Sequence, residues 1–423
     1  MANAREKFRA LTRVFDPIYQ PRQDAADGPG TSYVPETHED YRKQLEAALD
    51  LNDSAKLLVA GQPGCGKTTL LLNIADTLRK DGRLVAFVDL EAQAAVQDLG
   101  SVEMYLAALA ALLSEVHKSG GSLAPETIAA CQSWLARSQL GADATPDPEA
   151  IVAALRRQLA IVRESKPLRD ELRLLVKQDS GTDPFSLLCR ALEDLEARRP
   201  VVILDGLDKL LPSRARETFL DDKKKPMAEA PGAAILTIPL SLVYEPTFNV
   251  LSERYNNADS AVLPAVRVWD FDAQKRKRAP SEKGIDILRK ILSARVDPID
   301  PQIVMPDAVE RVIVGSGGNI RELARLMQSS VIKAHVRHGD FVEVRDIEAA
   351  IADQRESFRR GYDARFLPLL QRVRNEYRLD DSGDIAKQLL YGLWVIEYRN
   401  GSAWYSLPEP VEQLLRHLER TPK

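Results

Sequence analysis

The sequence predicts an α/β fold in which helices flank a parallel β-sheet, and three observations lead to this prediction. Five apolar runs have the length and composition of β-strands, at 56–60, 84–89, 201–205, 233–238 and 262–269. Segments with helical periodicity lie between these runs, and strands that alternate with helices form parallel sheets. The chain has 423 residues, more than one hydrophobic core usually supports, so we expect two or three domains.

Composition narrows the class of protein. Hydrophobic residues make up 44% of the chain and charged residues 28%, which is ordinary for a globular protein and excludes wholesale disorder. The net charge of −4 indicates no global affinity for nucleic acids, so such a surface would be local. Cys65, Cys131 and Cys189 lack CxxC spacing, which argues against a disulfide framework or a zinc site. The chain has neither an apolar leader nor eighteen consecutive apolar residues, so we expect a cytoplasmic protein without membrane contact.

A glycine-rich stretch directly follows the first predicted strand and precedes an amphipathic helix. It matches the P-loop pattern G-x-x-x-x-G-K-[ST] and comprises Gly61, Gln62, Pro63, Gly64, Cys65, Gly66, Lys67, Thr68 and Thr69. Glycines let successive amides turn toward a phosphate chain, and the start of the helix adds its positive dipole. We expect Lys67 to neutralise the β and γ oxygens and Thr68 to bind Mg²⁺. The alternative is a glycine-rich turn that binds nothing.

A second motif supplies carboxylates at the end of another strand. The segment VVILDGLD, residues 201–208, begins with four apolar residues typical of a strand buried on both faces. Asp205 stands where that strand ends, and we predict that it holds Mg²⁺ through water. Asp208 lies on the following turn, where it could act as the general base toward an attacking water. The alternative is a plain turn with two solvated carboxylates.

A third motif, VGSGGNIRELARLM at 314–327, predicts a capped helix. Asn319 followed by Glu322 is a typical helix start, and Leu323, Ala324 and Met327 give the helix a buried face. Arg321 falls in its first turn.

Together these three motifs resemble the AAA+ ATPases, in particular the origin-recognition initiator branch and its STAND-like relatives. The resemblance implies that Arg321 is the sensor-2 arginine, which reaches the γ-phosphate from a helical lid. The alternatives are an exposed arginine paired with Glu322 or Glu310, and a sensor role for Arg325. Many AAA+ proteins carry Asp-Glu at the strand end, whereas this chain has Asp205-Gly206, so the base assignment depends on Asp208.

The resemblance also implies two further site residues. Thr237, near the end of the fourth strand, would be sensor 1, although threonine is a common structural residue in strands. Arg254, before the fifth strand, would be the arginine finger offered to a neighbouring subunit. A surface arginine at a helix end is the alternative for this position. These roles imply self-association into an oligomer.

The order of the motifs predicts three domains. Residues 1–278 form the P-loop ATPase core, with an N-terminal linker at 19–35 near the adenine and a helical insertion at about 100–197. Residues 279–354 form a helical lid, and the charged segment 272–284 is an exposed loop at the hinge. Residues 355–423 contain helices and a hairpin around Asn400-Gly401, which resembles a winged-helix domain.

The partner of the winged helix stays open at this point. The segment that would enter a DNA groove contains three aspartates, Asp380, Asp381 and Asp384, and one lysine, Lys387. This excess of negative charge is unfavourable for binding phosphates. Another face could be basic, with Arg355, Arg359, Arg360, Arg365, Arg372, Arg374 and Arg378. DNA and a partner protein are therefore both candidate partners of this domain.

The function predicted from the sequence is an AAA+ switch that binds ATP with Mg²⁺, hydrolyses ATP, and couples nucleotide state to assembly with DNA or a partner protein. One alternative is a STAND-like signalling ATPase of a bacterial antiphage defence system that controls an effector protein. Another is a nucleotide-locked scaffold that does not turn over.

Overall fold

The computed structural model describes residues 4–17, 33–138, 147–178, 183–220, 227–256, 261–272, 274, 277–380 and 382–420. Most of the N-terminal linker at 19–35, for which we predict a place near the adenine, lies outside the described residues.

The strands are short, and most of them lie close to the predicted positions. They are β1 (Lys56–Gly61), β2 (Val85–Asp89), β3 (Val201–Asp205), β4 (Ala233–Thr237), β5 (Val262–Leu263), β6 (Trp269–Asp272), β7 (Lys277–Pro280), β8 (Ile396–Asn400) and β9 (Ser402–Ser406).

The helices fall into a first group before residue 260 and a second group after it. The first contains α1 (Ala4–Val14), α2 (Glu39–Leu51), α3 (Lys67–Lys80), α4 (Leu90–Gln93), α5 (Ser101–Lys118), α6 (Pro125–Arg137), α7 (Pro148–Glu164), α8 (Lys166–Gln178), α9 (Pro184–Asp194), α10 (Pro212–Phe219), α11 (Leu240–Val243) and α12 (Asn249–Ser252). The second contains α13 (Glu282–Val296), α14 (Pro306–Gly315), α15 (Ile320–Val336), α16 (Val344–Arg360), α17 (Leu367–Glu376), α18 (Asp384–Tyr391) and α19 (Glu409–Arg420).

These elements form two compact units. The first, here called the sheet unit, contains residues 40–60 and 70–262. The second, here called the lid unit, contains the residues up to 39, the P-loop at 61–69 and the chain from 263 onward. The P-loop therefore packs mainly with the lid and the C-terminal elements.

The sheet unit contains the predicted parallel sheet. Its strand order is β2-β3-β4-β1-β5, and the three pairs from β2 to β1 are parallel. Every residue of β3 and β4 is buried, which explains why these strands are continuous apolar runs. Because β1 and β3 are parallel in one sheet, their carboxyl ends lie at the same edge.

The predicted helical insertion is present between β2 and β3, as helices α5 to α9. Its central helix α5 packs against β2, α7 and α9. Leu106, Leu109 and Leu112 on this helix are fully buried. The apolar faces of the insertion therefore serve the core of the sheet unit.

The fifth strand differs from the sequence prediction, which placed it at 262–269. It consists of Val262 and Leu263 alone, because Pro264 follows and a proline has no N–H to donate to a strand ladder. Residues 269–272 instead pair antiparallel with 277–280 as a hairpin. This hairpin replaces part of the loop predicted at 272–284.

The lid unit is built around one hydrophobic core that joins three regions of sequence. Phe8 and Leu11 on α1, Leu323 and Met327 on α15, and Trp404 on β9 all belong to it. The C-terminal elements α17, α18, β8, β9 and α19 follow the helix-helix-hairpin order predicted for a winged helix. Hairpin β6–β7 packs on this module, because Phe271 stacks on Trp404 with ring centroids 5.4 Å apart.

Candidate functional site

The P-loop in the lid unit has three successive backbone carbonyls that bind groups outside the loop. The Pro63 carbonyl accepts a hydrogen bond from Asn319 Nδ2 at 2.8 Å, and the Gly64 carbonyl accepts one from the Arg321 amide at 3.2 Å. The Cys65 carbonyl lies 2.7 Å from His38 Nε2. The start of α15 and the turn at Pro35–His38 thus hold the loop by its oxygen atoms.

This arrangement fixes where the amides of the loop point. In a trans peptide the carbonyl and the following N–H lie on opposite sides, so the Gly64 and Gly66 amides face away from those partners. Within the described part of the chain, neither amide donates to a backbone carbonyl. Helix α3 begins at Lys67, so its first amides also lack helical acceptors. Amides gathered in this way suit an anion such as a phosphate group.

Gly64 is required where the loop meets α15. Its φ is +83°, and a Cβ at this position would lie 2.3 Å from Arg321 Cβ and 2.6 Å from Asn319 Oδ1. Any side chain would therefore clash with the helix start and would strain the backbone. The contact places the backbone of Arg321 directly beside the loop.

Lys67 is held inside the loop. Its side chain donates to the carbonyls of Gly61 at 3.0 Å and Gln62 at 3.2 Å, and the residue is only 7% exposed. Thr68 and Thr69 follow in the first turn of α3 and are partly exposed. The side-chain chemistry and loop geometry therefore fit a bound phosphate chain.

The structure distinguishes the two arginines considered for the sensor. Arg325 pairs with Glu322 at 3.0 Å, and Glu310 pairs with Arg289 at 2.7 Å. Arg321 is exposed, and no carboxylate in the described ranges forms an ion pair with its guanidinium. Asn319 caps α15 by accepting from the amides of Arg321 and Glu322, as the sequence predicts.

His38 is a residue near the P-loop that sequence reasoning missed. Burial lowers the pKa of His38 from 6.5 to about 4, and the hydrogen bond to the Cys65 carbonyl offsets part of that effect. The imidazole is therefore neutral at pH 7, and its Nε2–H donates to the Cys65 carbonyl. Nothing in the local sequence distinguishes this histidine, because its contact with Cys65 is made only in the folded chain.

In the sheet unit, Asp205 and Asp208 flank a sharp turn at the end of β3. Asp205 is 6% exposed, and its carboxylate accepts from the Gly206 amide at 3.0 Å. Gly206 has a φ of +98°, and a Cβ there would lie 3.2 Å from the Glu91 amide. A glutamate would be strained in this conformation, because side chains disfavour a positive φ. Asp208, in the turn at Leu207–Lys209, is partly exposed.

Asp89 is a third acidic residue near this turn, and the sequence reasoning missed it. It ends β2 and is the direct neighbour of Asp205 in the parallel pairing of β2 with β3. Its carboxylate accepts from the Ala92 amide at 3.1 Å and caps α4. The segment FVDLE carries the available signal, since its apolar strand ends in aspartate as β3 does.

Thr237 lies at the end of β4 and supports the turn after β3. Its hydroxyl accepts from the Leu207 amide at 3.0 Å and donates to the Leu204 carbonyl at 3.3 Å. The residue is fully buried. Thr237 therefore has a structural role beside the Asp205–Asp208 turn, and its role as sensor 1 stays a prediction.

Arg254 follows the short helix α12 in the sheet unit and is partly buried. Its amide donates to the Leu251 carbonyl at 3.0 Å, which continues the end of the helix. The role of arginine finger stays a prediction for this residue.

Comparison with protein families gives a match over the segment that carries these motifs. Residues 39–220 match the model of the KAP family P-loop domain. This segment is a P-loop domain. It includes β1, the P-loop, α3, the helical insertion and β3 with Asp205 and Asp208. The P-loop NTPase fold predicted from the sequence is thereby confirmed.

Several solved structures are similar to the chain at low sequence identity. Cdc6p from Pyrobaculum aerophilum is similar with a TM-score of 0.41 and 12% identity over 96% of both chains. The Aeropyrum pernix ORC2 protein, solved in ADPNP and ADP complexes, has a TM-score of 0.40 and 14% identity over 97% of this chain and 98% of its own. The Drosophila ORC structure, which is bound to DNA, has a TM-score of 0.39 and 12% identity over 91% and 89%. A comparison with curated proteins finds no match.

Across the described residues, no helix has both the length and the apolar character needed to cross a lipid bilayer.

Proposed function

We propose that this protein is an ATP-binding and ATP-hydrolysing AAA+ switch whose nucleotide state controls its assembly with itself and with a partner. The proposal rests on the hydrogen bonds that the Pro63, Gly64 and Cys65 carbonyls accept from groups outside the loop. These bonds leave the Gly64 and Gly66 amides facing the other way, where they can bind a phosphate. A glycine-rich turn that bound nothing would have no need of this arrangement.

We assign each residue of the site the role that the sequence predicts for it. The amides of the P-loop and Lys67 bind the phosphates, and Arg321 contacts the γ-phosphate from α15. Thr68 and Asp205 hold Mg²⁺, which when bound neutralises charge on the phosphate oxygens. Asp208 orients the attacking water and accepts its proton. Within the sheet unit, Asp205 stands at the carboxyl end of β3, and the carboxyl ends of parallel strands are where α/β sheets bind their ligands.

The exposed face of α18 favours a protein as the partner. Asp384, Gln388 and Tyr391 are exposed on this helix, and the Tyr391 side chain is 59% accessible. A face that presents a carboxylate, an amide and a tyrosine suits a protein surface with basic and apolar groups better than it suits DNA phosphates. A protein partner is also what a STAND-like signalling switch in antiphage defence would require.

DNA is a second candidate partner because of three arginines in the same region. Arg360, Arg372 and Arg378 form no ion pair with any described carboxylate, whereas Arg365 and Arg374 pair with Asp363 and Glu419. These three guanidinium groups provide the positive charge that a DNA backbone needs.

The nucleotide site is tested by binding of ATP and ADP to the purified chain and its Lys67→Ala variant. We expect micromolar binding to the wild type and loss of at least about a hundredfold in affinity for the variant. Equal affinity in both proteins would refute the site.

Hydrolysis is tested in the same preparation by phosphate release. The Asp208→Asn variant should bind ATP like the wild type and release phosphate more slowly by about a hundredfold or more. A wild type that binds ATP and releases no phosphate, alone or with DNA, would instead support the nucleotide-locked scaffold.

A further inference from the structure

Gln62, the second residue of the P-loop, uses its whole amide group to bind the C-terminal module. Its Nε2 donates to the carbonyls of Leu390 at 2.8 Å and Val395 at 2.7 Å. Its Oε1 accepts from the Glu397 amide at 2.8 Å. The residue is 2% exposed, so these bonds replace those that water would make.

The three backbone groups bound by Gln62 belong to adjoining elements. Leu390 lies in the last turn of α18, Val395 precedes β8, and Glu397 is within β8. The Glu397 carbonyl accepts from the Ala265 amide at 3.1 Å. Gln62 and Ala265 together therefore satisfy both backbone groups of Glu397 on the side of β8 away from β9.

The backbone of Gln62 also contacts the part of the loop that is proposed to bind phosphates. Its backbone carbonyl accepts from Lys67 Nζ at 3.2 Å and from the Cys65 amide at 3.2 Å. The main chain of Gln62 thus contacts Lys67, which is proposed to bind the phosphates. Its side chain contacts the segment from α18 to β8. A shift of the loop moves that segment or breaks buried hydrogen bonds, which is costly.

We propose that Gln62 is a positioning residue that links phosphate binding at the P-loop to the conformation of the α18–β8 segment. This inference rests on the proposed function and assigns a route by which nucleotide state reaches the exposed face of α18. Because coupling between two sites is reciprocal, a partner bound to α18 changes nucleotide affinity by the factor with which nucleotide changes partner affinity.

The test uses the full chain with Gln62→Met, which keeps the length of the side chain and removes its hydrogen bonds. Gln158→Met is the matched control, since Gln158 is a fully buried glutamine in the helical insertion. ATP–Mg²⁺ and ADP affinities are measured by titration. Hydrogen exchange of the Glu397 amide is measured with and without each nucleotide.

In the wild type we expect nucleotide to change the exchange rate of the Glu397 amide. In Gln62→Met this amide should exchange faster without nucleotide, its response to nucleotide should vanish, and affinity should fall about tenfold. Gln158→Met should keep wild-type affinity within about twofold and keep the Glu397 response. If Gln62→Met does not fold, Gln62→Asn, which keeps the amide but is one methylene shorter, should give the same pattern.

The outcomes separate this inference from the proposed function. If the wild type binds nucleotide but Glu397 exchange does not respond, or if Gln62→Met keeps both affinity and response, the link is wrong and the nucleotide site stands. If the wild type binds no nucleotide, the proposed function fails and the inference fails with it.

Discussion

Arg321 and Arg325 lie one helical turn apart on α15, yet they have different surroundings. Arg325 forms an ion pair with Glu322. The backbone of Arg321 lies beside Gly64, and its guanidinium has no carboxylate partner among the described residues. A guanidinium without a competing carboxylate can bind phosphate oxygens in a bidentate way. Arg321 therefore stays the predicted contact of the γ-phosphate.

This difference predicts unequal effects of two matched substitutions. Arg321→Ala should lower the rate of phosphate release by roughly two orders of magnitude, because one donor to the transition state is lost. Arg325→Ala should change that rate less than about threefold, since exposed ion pairs contribute little. Both variants are compared in one steady-state phosphate assay. Equal effects, or a larger effect at Arg325, would contradict the assignment.

His38 predicts a specific dependence of stability on pH. The pKa of this residue is about 4 in the folded chain and near the usual 6.5 when unfolded. Between these values the unfolded chain binds more protons, so the free energy of unfolding falls as the pH drops from 6.5 toward 4. The loss should reach at most about 3 kcal/mol.

The check compares urea unfolding of the wild type and His38→Gln between pH 4 and pH 7.5. Glutamine keeps a donor for the Cys65 carbonyl but does not titrate, so the stability difference between the two proteins should change over that window. Carboxylates such as Glu36 titrate in both proteins and cancel in the difference. Parallel stability curves would exclude an imidazole that stays neutral at this partly buried position.

The N-terminus of α15 combines helix capping with a contact to the P-loop. Asn319 accepts from the Arg321 and Glu322 amides through Oδ1 and donates to the Pro63 carbonyl through Nδ2. The side chain is fully buried. An asparagine is needed here, because aspartate could form the cap but could not donate to Pro63.

Two substitutions separate the helix cap of Asn319 from its hydrogen bond to the Pro63 carbonyl. Asn319→Ala removes both, and should lower the free energy of unfolding by about 1–3 kcal/mol. Asn319→Asp keeps the cap, so it should cost less stability than alanine, while its charge beside the Pro63 carbonyl should weaken ATP binding. Urea unfolding and ATP titration measure the two effects. Asp183→Ala, which removes the cap of α9, is the control that should leave ATP affinity unchanged.

Elements with a local signal could be predicted from the sequence. Strands β1 and β3 are buried apolar runs, Asn319 caps α15, and Asn400-Gly401 forms the turn between β8 and β9 as predicted. In each case the residues that define the element are neighbours in sequence. This is also why the P-loop and the Asp205 turn could be recognised.

The elements that were missed depend on contacts between distant parts of the chain. Hairpin β6–β7 lies in a charged segment, and the packing of Phe271 against Tyr377 and Trp404 accompanies its formation. The contact of His38 with Cys65 likewise joins separate segments. Position 62 is a variable place in the P-loop pattern, so the pattern alone could not predict that Gln62 binds α18 and β8.

The whole chain should change its state of assembly with nucleotide. The proposed switch predicts a larger sedimenting species with ATP–Mg²⁺ than without nucleotide, and no change for Lys67→Ala. Because the exposed face of α18 favours a protein partner, added duplex DNA should not add mass at physiological salt. Sedimentation velocity on the full chain measures all of these conditions.

Two outcomes would contradict these expectations. A monomer under every condition would argue against nucleotide-dependent self-association. A complex with DNA that weakens steeply as salt rises would favour the DNA candidate over a protein partner. Replacing Arg360, Arg372 and Arg378 with glutamine should then reduce the salt dependence of binding.

The three thiols differ enough in their surroundings to make site-selective labelling practical. Cys65 and Cys131 are buried, and burial raises the pKa of Cys131 to about 12, so very little of it is thiolate at neutral pH. Cys189, on α9, is partly exposed. A maleimide dye should therefore attach first at Cys189, and the native chain could be followed by fluorescence without removing any other cysteine.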